Sequence, residues 1–454
     1  MKKVSFANKF ESQGILTTIL KFSLPSSAGA IVGLLCVLTD RYFIGQVAGR
    51  AGMSAVAIVF PYAMLMNSVA FLFAGMAIIV GIKLGEKKVE EAEKFLGTGF
   101  VWIVILGTML SMFLYLFNLP ILKILGATES NIQYAVDYTR YIIPIAVFQI
   151  ILGQSTVIRG AGSPLTAMGV NIFTATFNIV LDYIFIMQLG MGIAGASLAT
   201  FIATALSAMY VVYYFITNKT LKLKKENLDL NFIRFKEIAR LGSPRLLNQL
   251  FQSLLVMLTN REAGYYGGEI ATAAIGIISI VRNVINTSFM GFNQGTAAVI
   301  SYYYGAKKFI KLKEVIKVQL KVVVTISSLL VASMFMFTNF YSSFFVKNDY
   351  ELIEFTSKAM RINLGFLTFT SIFLSCNNFF QAIKDSKTAS KFFMMRVLIL
   401  NIPLIYILSY FLGEIGVWLA FPISDFVSAM IIFRKTKKTL NSLVKIEKIP
   451  TLSK

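Results

Sequence analysis

Apolar runs broken by short polar or basic segments follow one another from residue 15 to residue 433. Runs of about 20 residues cross roughly 30 Å of hydrocarbon at about 1.5 Å of helix per residue. The pattern predicts twelve membrane-spanning helices over 15–46, 51–82, 95–118, 132–153, 165–188, 192–217, 236–260, 270–304, 318–340, 354–379, 389–412 and 414–433. The first run extends past the length of a signal-peptide core and is followed by another, so no cleaved signal is expected.

Composition agrees: 56% of the 454 residues are hydrophobic and only 14% are charged, against about 25% charged in a soluble domain. The net charge of +21 raises the question of a nucleic-acid partner. Lys and Arg, however, concentrate before the first helix, between helices 2 and 3, 6 and 7, and 8 and 9, and after the twelfth. The alternate loops hold Arg41, Arg50, Lys123, Arg261 and Lys347. That asymmetry is the positive-inside pattern, so both termini are expected in the cytoplasm of a cell whose plasma membrane the chain spans, with no nucleic acid involved. Cys36 and Cys376 fall inside predicted helices and read as small packing residues. With no histidine in the chain, carboxylates are the remaining candidates for titration within the bilayer.

The segment "NKTLKLKKENLDLNF" divides the helices six and six, predicting an N-terminal lobe over 1–217, a linker over 218–235, a C-terminal lobe over 236–434 and a basic tail over 435–454. The halves repeat. "VLTDRYF" (37–43) matches "MLTNREA" (257–263) at an offset of 220, as "GMAIIVGIKLGEKK" (75–88) matches "GTAAVISYYYGAKK" (295–308). "RGAGSPLTA" (159–167) answers "QAIKDSKTA" (381–389), and "NIVLDYI" (178–184) answers "NIPLIYI" (401–407). An even number of helices per half makes the repeat parallel, as in transporters that move one lobe against the other around a central site.

The repeat also separates packing from chemistry, because Asp40 is matched by Asn260 and Asp182 by Ile405. Asp40 and Asp182 each precede a helix-ending glutamine, Gln46 or Gln188, by six residues, or about 9 Å of depth. Thr200 lies about 12 Å and Asn178 about 15 Å from the same boundary. An intramembrane carboxylate is costly unless paired, protonated or hydrated, and its default reading is functional. Two that approach each other are expected to exchange a proton near neutral pH, while an amide and a hydroxyl add oxygens that Na⁺ would need. The alternative is that either acid only bonds a neighbouring helix, or that Asp40 pairs with Arg41. Asp425, in "FPISDFVSAM", has no evident polar partner at its depth, and a structural role near Arg434 or between helices is the competing reading. Pro25, with Gly29 and Gly33 after it, permits a kink in helix 1 or simply close packing. A cleft lined by some of the 40 Phe, 19 Tyr and 19 Met would suit planar organic cations; Tyr42, Phe60 and Tyr138 are the candidates near the polar positions.

The segments "TDRYFIGQVAGRAGMSAVAIVFPY" (39–62), "IRGAGSP" (158–164), "NIVLDY" (178–183) and "GIAGASLAT" (192–200) resemble the multidrug and toxic compound extrusion (MATE) family, in order and spacing across the whole chain. The resemblance implies an all-α, two-lobed, V-shaped transporter, not an enzyme and without cofactor, that exports organic cations and amphipathic drugs in exchange for H⁺ or Na⁺. It also implies that Asp40, Asn178, Asp182 and Thr200 form the cation-coupling site, with Pro25 at a bend, in a chain that works as a monomer. Some branches carry acids in helices 7 and 10, whereas "LGSPRLLNQLFQSLLVMLTN" (241–260) and "FLTFTSIFLSCNNFF" (366–380) have none, which directs the expectation to the N-terminal lobe. A lipid-linked oligosaccharide flippase of the same superfamily is the alternative; its anionic cargo would ask for a cavity rich in arginine. An intramembrane aspartyl protease also needs two acids, but these stand in "LTDRY" and "VLDYI", unlike that class.

Overall fold

The computed structural model describes residues 14–125, 127–129, 131–343 and 350–448. Parts of the charge argument, namely the first thirteen residues, Lys347 and the last six, lie outside the described residues. The crossings are α1 (Ile15–Ala48), α2 (Ser54–Gly85), α3 (Val89–Leu116), α4 (Ile132–Ile142 with Ile145–Gly160), α5 (Pro164–Gln188) and α6 (Gly192–Thr217). After the linker come α7 (232–267), α8 (Ala273–Gly305), α9 (Phe309–Met336), α10 (Tyr350–Leu364 with Leu367–Ala382), α11 (Ser386–Leu412) and α12 (Glu414–Glu447). Among the described residues nine helices are long and apolar enough to span, or eleven with the two bent pairs counted as one each. The twelfth, α7, is interrupted by Arg240, Arg245, Asn248, Gln249 and Gln252, which lower its hydropathy below that of the others.

Two helical stretches run through chain reversals. Ile15–Phe73 is continuous in hydrogen bonding, yet the Arg41 guanidinium lies 5.8 Å from the Phe60 ring. A straight helix would separate them by about 28 Å, so α1 and α2 form a hairpin. Between α7 and α8, Gly268 supplies the turn at φ 63°, a conformation that glycine adopts without a steric penalty. In α4 the 55° bend falls at Pro144, where a missing N–H opens the helical ladder.

The repeat recurs in detail. Short helices Asn118–Ile124 and Thr338–Ser343 follow α3 and α9 at the 220-residue offset. Lys87 (φ 62°) and Lys307 (φ 57°) close α2 and α8 with the same left-handed turn. The lobes are pinned together at this lysine-rich end by glycines. A Cβ on Gly85 would lie 2.3 Å from the Tyr302 carbonyl oxygen, and one on Gly305 2.1 Å from that of Ile82. Likewise Gly75 abuts the Ile238 carbonyl and Gly295 that of Phe22. Small residues thus let backbones of opposite lobes touch. Toward the other end, Cβ positions on Gly33 of α1 and Gly276 of α8 meet nothing within 4 Å.

The linker docks on α3. Glu93, buried, accepts from Lys222 N at 3.0 Å and pairs with Lys224 at 2.7 Å. Asp229 accepts from the Thr98 hydroxyl and pairs with Arg234 at 2.5 Å. Partial burial pushes the Asp229 carboxyl up, but the Thr98 and Arg234 hydrogen bonds outweigh it and hold the group below its ordinary value. A carboxyl lowered on folding stabilises the docked form above its unfolded pKa, and that contribution is lost as pH falls through the folded one. Limited proteolysis of the linker should therefore accelerate as pH drops below about 4, with Asp229→Asn showing the faster cleavage already at neutral pH; identical rates for both proteins across that range would refute this.

Candidate functional site

Helix α5 carries Asn178 and Asp182 four residues apart, and both side chains are buried, Asp182 completely. A π-helical segment, Tyr183–Gln188, begins directly after Asp182; such widened turns are frequent at functional sites. With its amide oriented to match donors with acceptors, Asn178 donates to Asp182 Oδ2 at 3.3 Å and accepts from Thr200 Oγ1 at 3.3 Å and Thr200 N at 3.2 Å. The three polar positions inferred for α5 and α6 thus form one hydrogen-bonded unit.

Asp40 reaches this unit from α1, within electrostatic range of Asp182. Its Oδ1, like that of Asp182, is buried without a hydrogen-bond partner among the described residues. Arg41 forms no ion pair with Asp40 among the described residues, its guanidinium lying 5.8 Å from the Phe60 ring, although its charge is within electrostatic range of Asp40. A bare carboxylate oxygen in apolar surroundings is expensive. A proton removes the cost at the acid that takes it, and so would an alkali cation between the two carboxylates, whose hard oxygens suit Na⁺; Asn178 turns its NH2 group toward Asp182 and its oxygen toward Thr200. No cluster of three or more acid, Cys or His side chains fit for a multivalent metal occurs among the described residues.

Of the aromatic candidates, Tyr138 stands within electrostatic range of Asp40 and Asp182. Phe60 faces Arg41, and Tyr42, largely exposed, meets only the ring edge of Phe43 at 5.8 Å. Pro25 is buried in the continuous α1 at the contact between lobes, flanked by Ser23 against Gly295 and by Ser27, whose hydroxyl donates to Ser288 O at 3.1 Å.

Three readings of the sequence need correction. Cys36 is no inert packing residue: its Sγ lies 2.9 Å from the Asn178 side chain. It precedes Asp40 by one helical turn, a spacing that could have flagged it. The apolar pattern ends helix 7 at 260, but α7 runs on to 267, and Glu262 within it is buried with Ser409 Oγ 3.4 Å away. The C-terminal lobe therefore holds a buried acid two residues from Asn260, the counterpart of Asp40. Finally, Asp425 has partners that hydropathy could not reveal. Arg396 bonds its Oδ1 at 2.7 Å, Thr370 donates to its Oδ2, and the guanidinium lies 4.7 Å from the Phe373 ring. Arg434 is exposed and uninvolved. A π-helical segment, Met395–Asn401, carries Arg396 toward α12. Because removing one member of a buried pair strands the other, Asp425→Ala should cost about 3–5 kcal/mol, whereas replacing both Asp425 and Arg396 with Leu and Met should cost much less. Thermal unfolding of the purified variants checks this; equal losses for the single and double variants would contradict it.

A family model described as MatE matches residues 25–184 and 244–407, one match per lobe. Among curated relatives, "Probable multidrug resistance protein YoeA" of Bacillus subtilis is 25% identical over 92% of this chain and 91% of its own length. "Multidrug export protein MepA" of Staphylococcus aureus is 23% identical, covering 93% of each. A solved structure described as the outward-facing conformation of a multidrug resistance MATE family transporter superposes with a TM-score of 0.91 at 22% identity, covering 98% of this chain and 100% of that one. A transporter of the wider MOP superfamily from Pyrococcus furiosus gives 0.90 at 22% identity, over 98% and 99%. Likeness at that level of identity establishes the twelve-helix, two-lobed fold.

Proposed function

Because the chain belongs to the MatE family of membrane transporters, we propose that it is an H⁺- or Na⁺-coupled antiporter that exports amphipathic organic cations across the plasma membrane. The observation that carries this reading is the pair of buried carboxylate oxygens on Asp40 and Asp182, without partners among the described residues, with Asp182 joined through Asn178 to Thr200. The relatives named for multidrug resistance and export support the substrate class.

In this scheme the lysine-rich end faces the cytoplasm, and the contact between lobes there leaves the cleft open outward. An entering H⁺ or Na⁺ takes the negative charge of Asp40 and Asp182, which releases a cationic drug held by that charge. When the lobes rock to the inward state the coupling ion leaves and the next drug is drawn in. Ion and drug compete for one charge, so each lowers the affinity for the other by the same factor. Chain termini in the cytoplasm and a functional monomer belong to the same reading. Two of the arginines that an anionic flippase cargo could use are already engaged, Arg396 by Asp425 and Arg282 by Asn363 and the Phe421 ring.

The deciding experiment is ethidium efflux from proteoliposomes under an imposed pH gradient and, separately, a Na⁺ gradient. Efflux driven by one of them identifies the coupling ion. No efflux under either, from folded protein, would overturn the antiporter reading.

A further inference from the structure

Where the lobes meet, Arg159 and Arg245 approach each other from opposite halves of the chain. Arg159, at the end of α4, is 3% exposed and donates through Nη2 to Gln294 Oε1 of α8 at 2.7 Å. Its Nε is buried without any partner. Arg245, on α7, donates through Nε to Gln381 Oε1 at 3.2 Å, and Gln381 is itself held by its Nε2 bond to Asn377 Oδ1 at 2.7 Å. The helices that hold the two partners are joined beside them, where Asn378 Nδ2 donates to Asn293 O at 2.9 Å, and this brings the two guanidiniums within electrostatic range of each other. Neither has a carboxylate partner among the described residues; at each, a neutral glutamine oxygen occupies the place where an acid would normally stand.

This is the reverse of the Asp40–Asp182 pair in one decisive respect. Crowded carboxylates lose their charge by taking a proton, but a guanidinium remains charged at any pH the protein meets. The buried Arg159 and the part-buried Arg245 repel each other and lack the counter-charge that ions away from water require. Arg159 Nε, and the N–H groups of Arg245 that Gln381 does not take, are charge-assisted donors of the kind a small anion accepts from.

We propose that Arg159 and Arg245 hold a small inorganic anion at the seam between the lobes. The anion supplies the missing counter-charge and links a residue of the N-terminal lobe to one of the C-terminal lobe. Its occupancy accordingly favours the arrangement in which the lobes touch at the lysine-rich end. This site is separate from the carboxylates of the proposed coupling site and stands whether or not drug export is driven by H⁺ or Na⁺.

The test uses the purified full-length protein. Thermal unfolding is followed as sodium gluconate is exchanged for sodium chloride at constant ionic strength, and in a second series for inorganic phosphate. The expected result is a saturable rise in unfolding temperature with one or both small anions and none with gluconate. In Arg245→Gln the half-saturating concentration should rise about tenfold or more, the loss expected from removing a charge-assisted fork, and Arg159→Gln should behave alike. Neutralising Lys437 and Lys438 in the exposed basic groove on α12 should leave the response intact. Should the glutamine variants fail to fold, saturable binding of radiolabelled chloride or phosphate to the native protein decides. Indifference of the native protein to both anions in both measurements overturns the proposal. So do arginine variants that respond like the native protein, or a response that disappears with the lysines.

Discussion

Replacing Asp182 with asparagine should sharply reduce ion-driven efflux while leaving the protein folded. The substitution keeps the shape of the side chain, and Asn178 can still hydrogen-bond to it through the retained oxygen. What disappears is the only property that couples transport to an ion, a charge that a proton or Na⁺ can cancel. With a coupling free energy of typically 1–3 kcal/mol removed, the gradient-dependent component of ethidium efflux should fall by about two orders of magnitude at most and fivefold at least. Stability should hold or improve, because Asp182 Oδ1 is buried without a partner and a neutral amide is cheaper to bury than an unpaired carboxylate. That combination separates a coupling role from a structural one. A merely structural Asp182 would give lower unfolding temperature with coupling intact, and full gradient-driven efflux in Asp182→Asn would remove this residue from the mechanism. Asp425 offers the contrast, since its carboxylate is fully engaged by Arg396 and Thr370 and its loss should act through stability.

A second large effect is expected at the seam. Val at position 85 or 305 would place a branched side chain where even a Cβ lies 2.3 Å from Tyr302 O or 2.1 Å from Ile82 O. Those neighbours are helix backbone, which cannot rotate aside as a side chain can. The lobes must therefore separate at the lysine-rich end. Overpacking of this kind typically costs about 1–3 kcal/mol, and here the strain is relieved by leaving the observed arrangement. In Gly85→Val, spin labels introduced by Lys88→Cys and Lys311→Cys, both exposed and on opposite lobes, should move apart, and ethidium efflux should be lost even though Asp40 and Asp182 are untouched. Unchanged label distances together with normal transport would show that the glycines serve no purpose in lobe contact. The 220-residue reciprocity makes a further demand, that Gly305→Val reproduce the effect of Gly85→Val.

The acids of the proposed coupling site were legible because a repeat lets one half act as the reference for the other. Asp40 and Asp182 stood out against Asn260 and Ile405, and depth along each helix joined them to Asn178 and Thr200. The same method passed over Glu262, because helix length was judged by hydropathy and α7 remains helical beyond its apolar part. It also passed over Cys36, which apolar surroundings disguised as packing, although it lies one turn from Asp40.

By itself the sequence determined that the chain spans a membrane many times, that it is built as two parallel six-helix halves, and which polar residues share a depth. These properties depend on local composition, on rise per residue and on internal repetition, all of which are linear along the chain. Only the tertiary structure decided which of those residues meet. Arg396 finds Asp425 across 29 positions, Arg159 finds Gln294 across 135, and Cys36 finds Asn178 across 142. Such pairings depend on the rotation of each helix about its own axis and on how closely its neighbours approach. Glycine contacts, the bend at Pro144 and the two π-helical segments set both of these, and their effect on partners far away in the chain becomes visible only when the helices are packed.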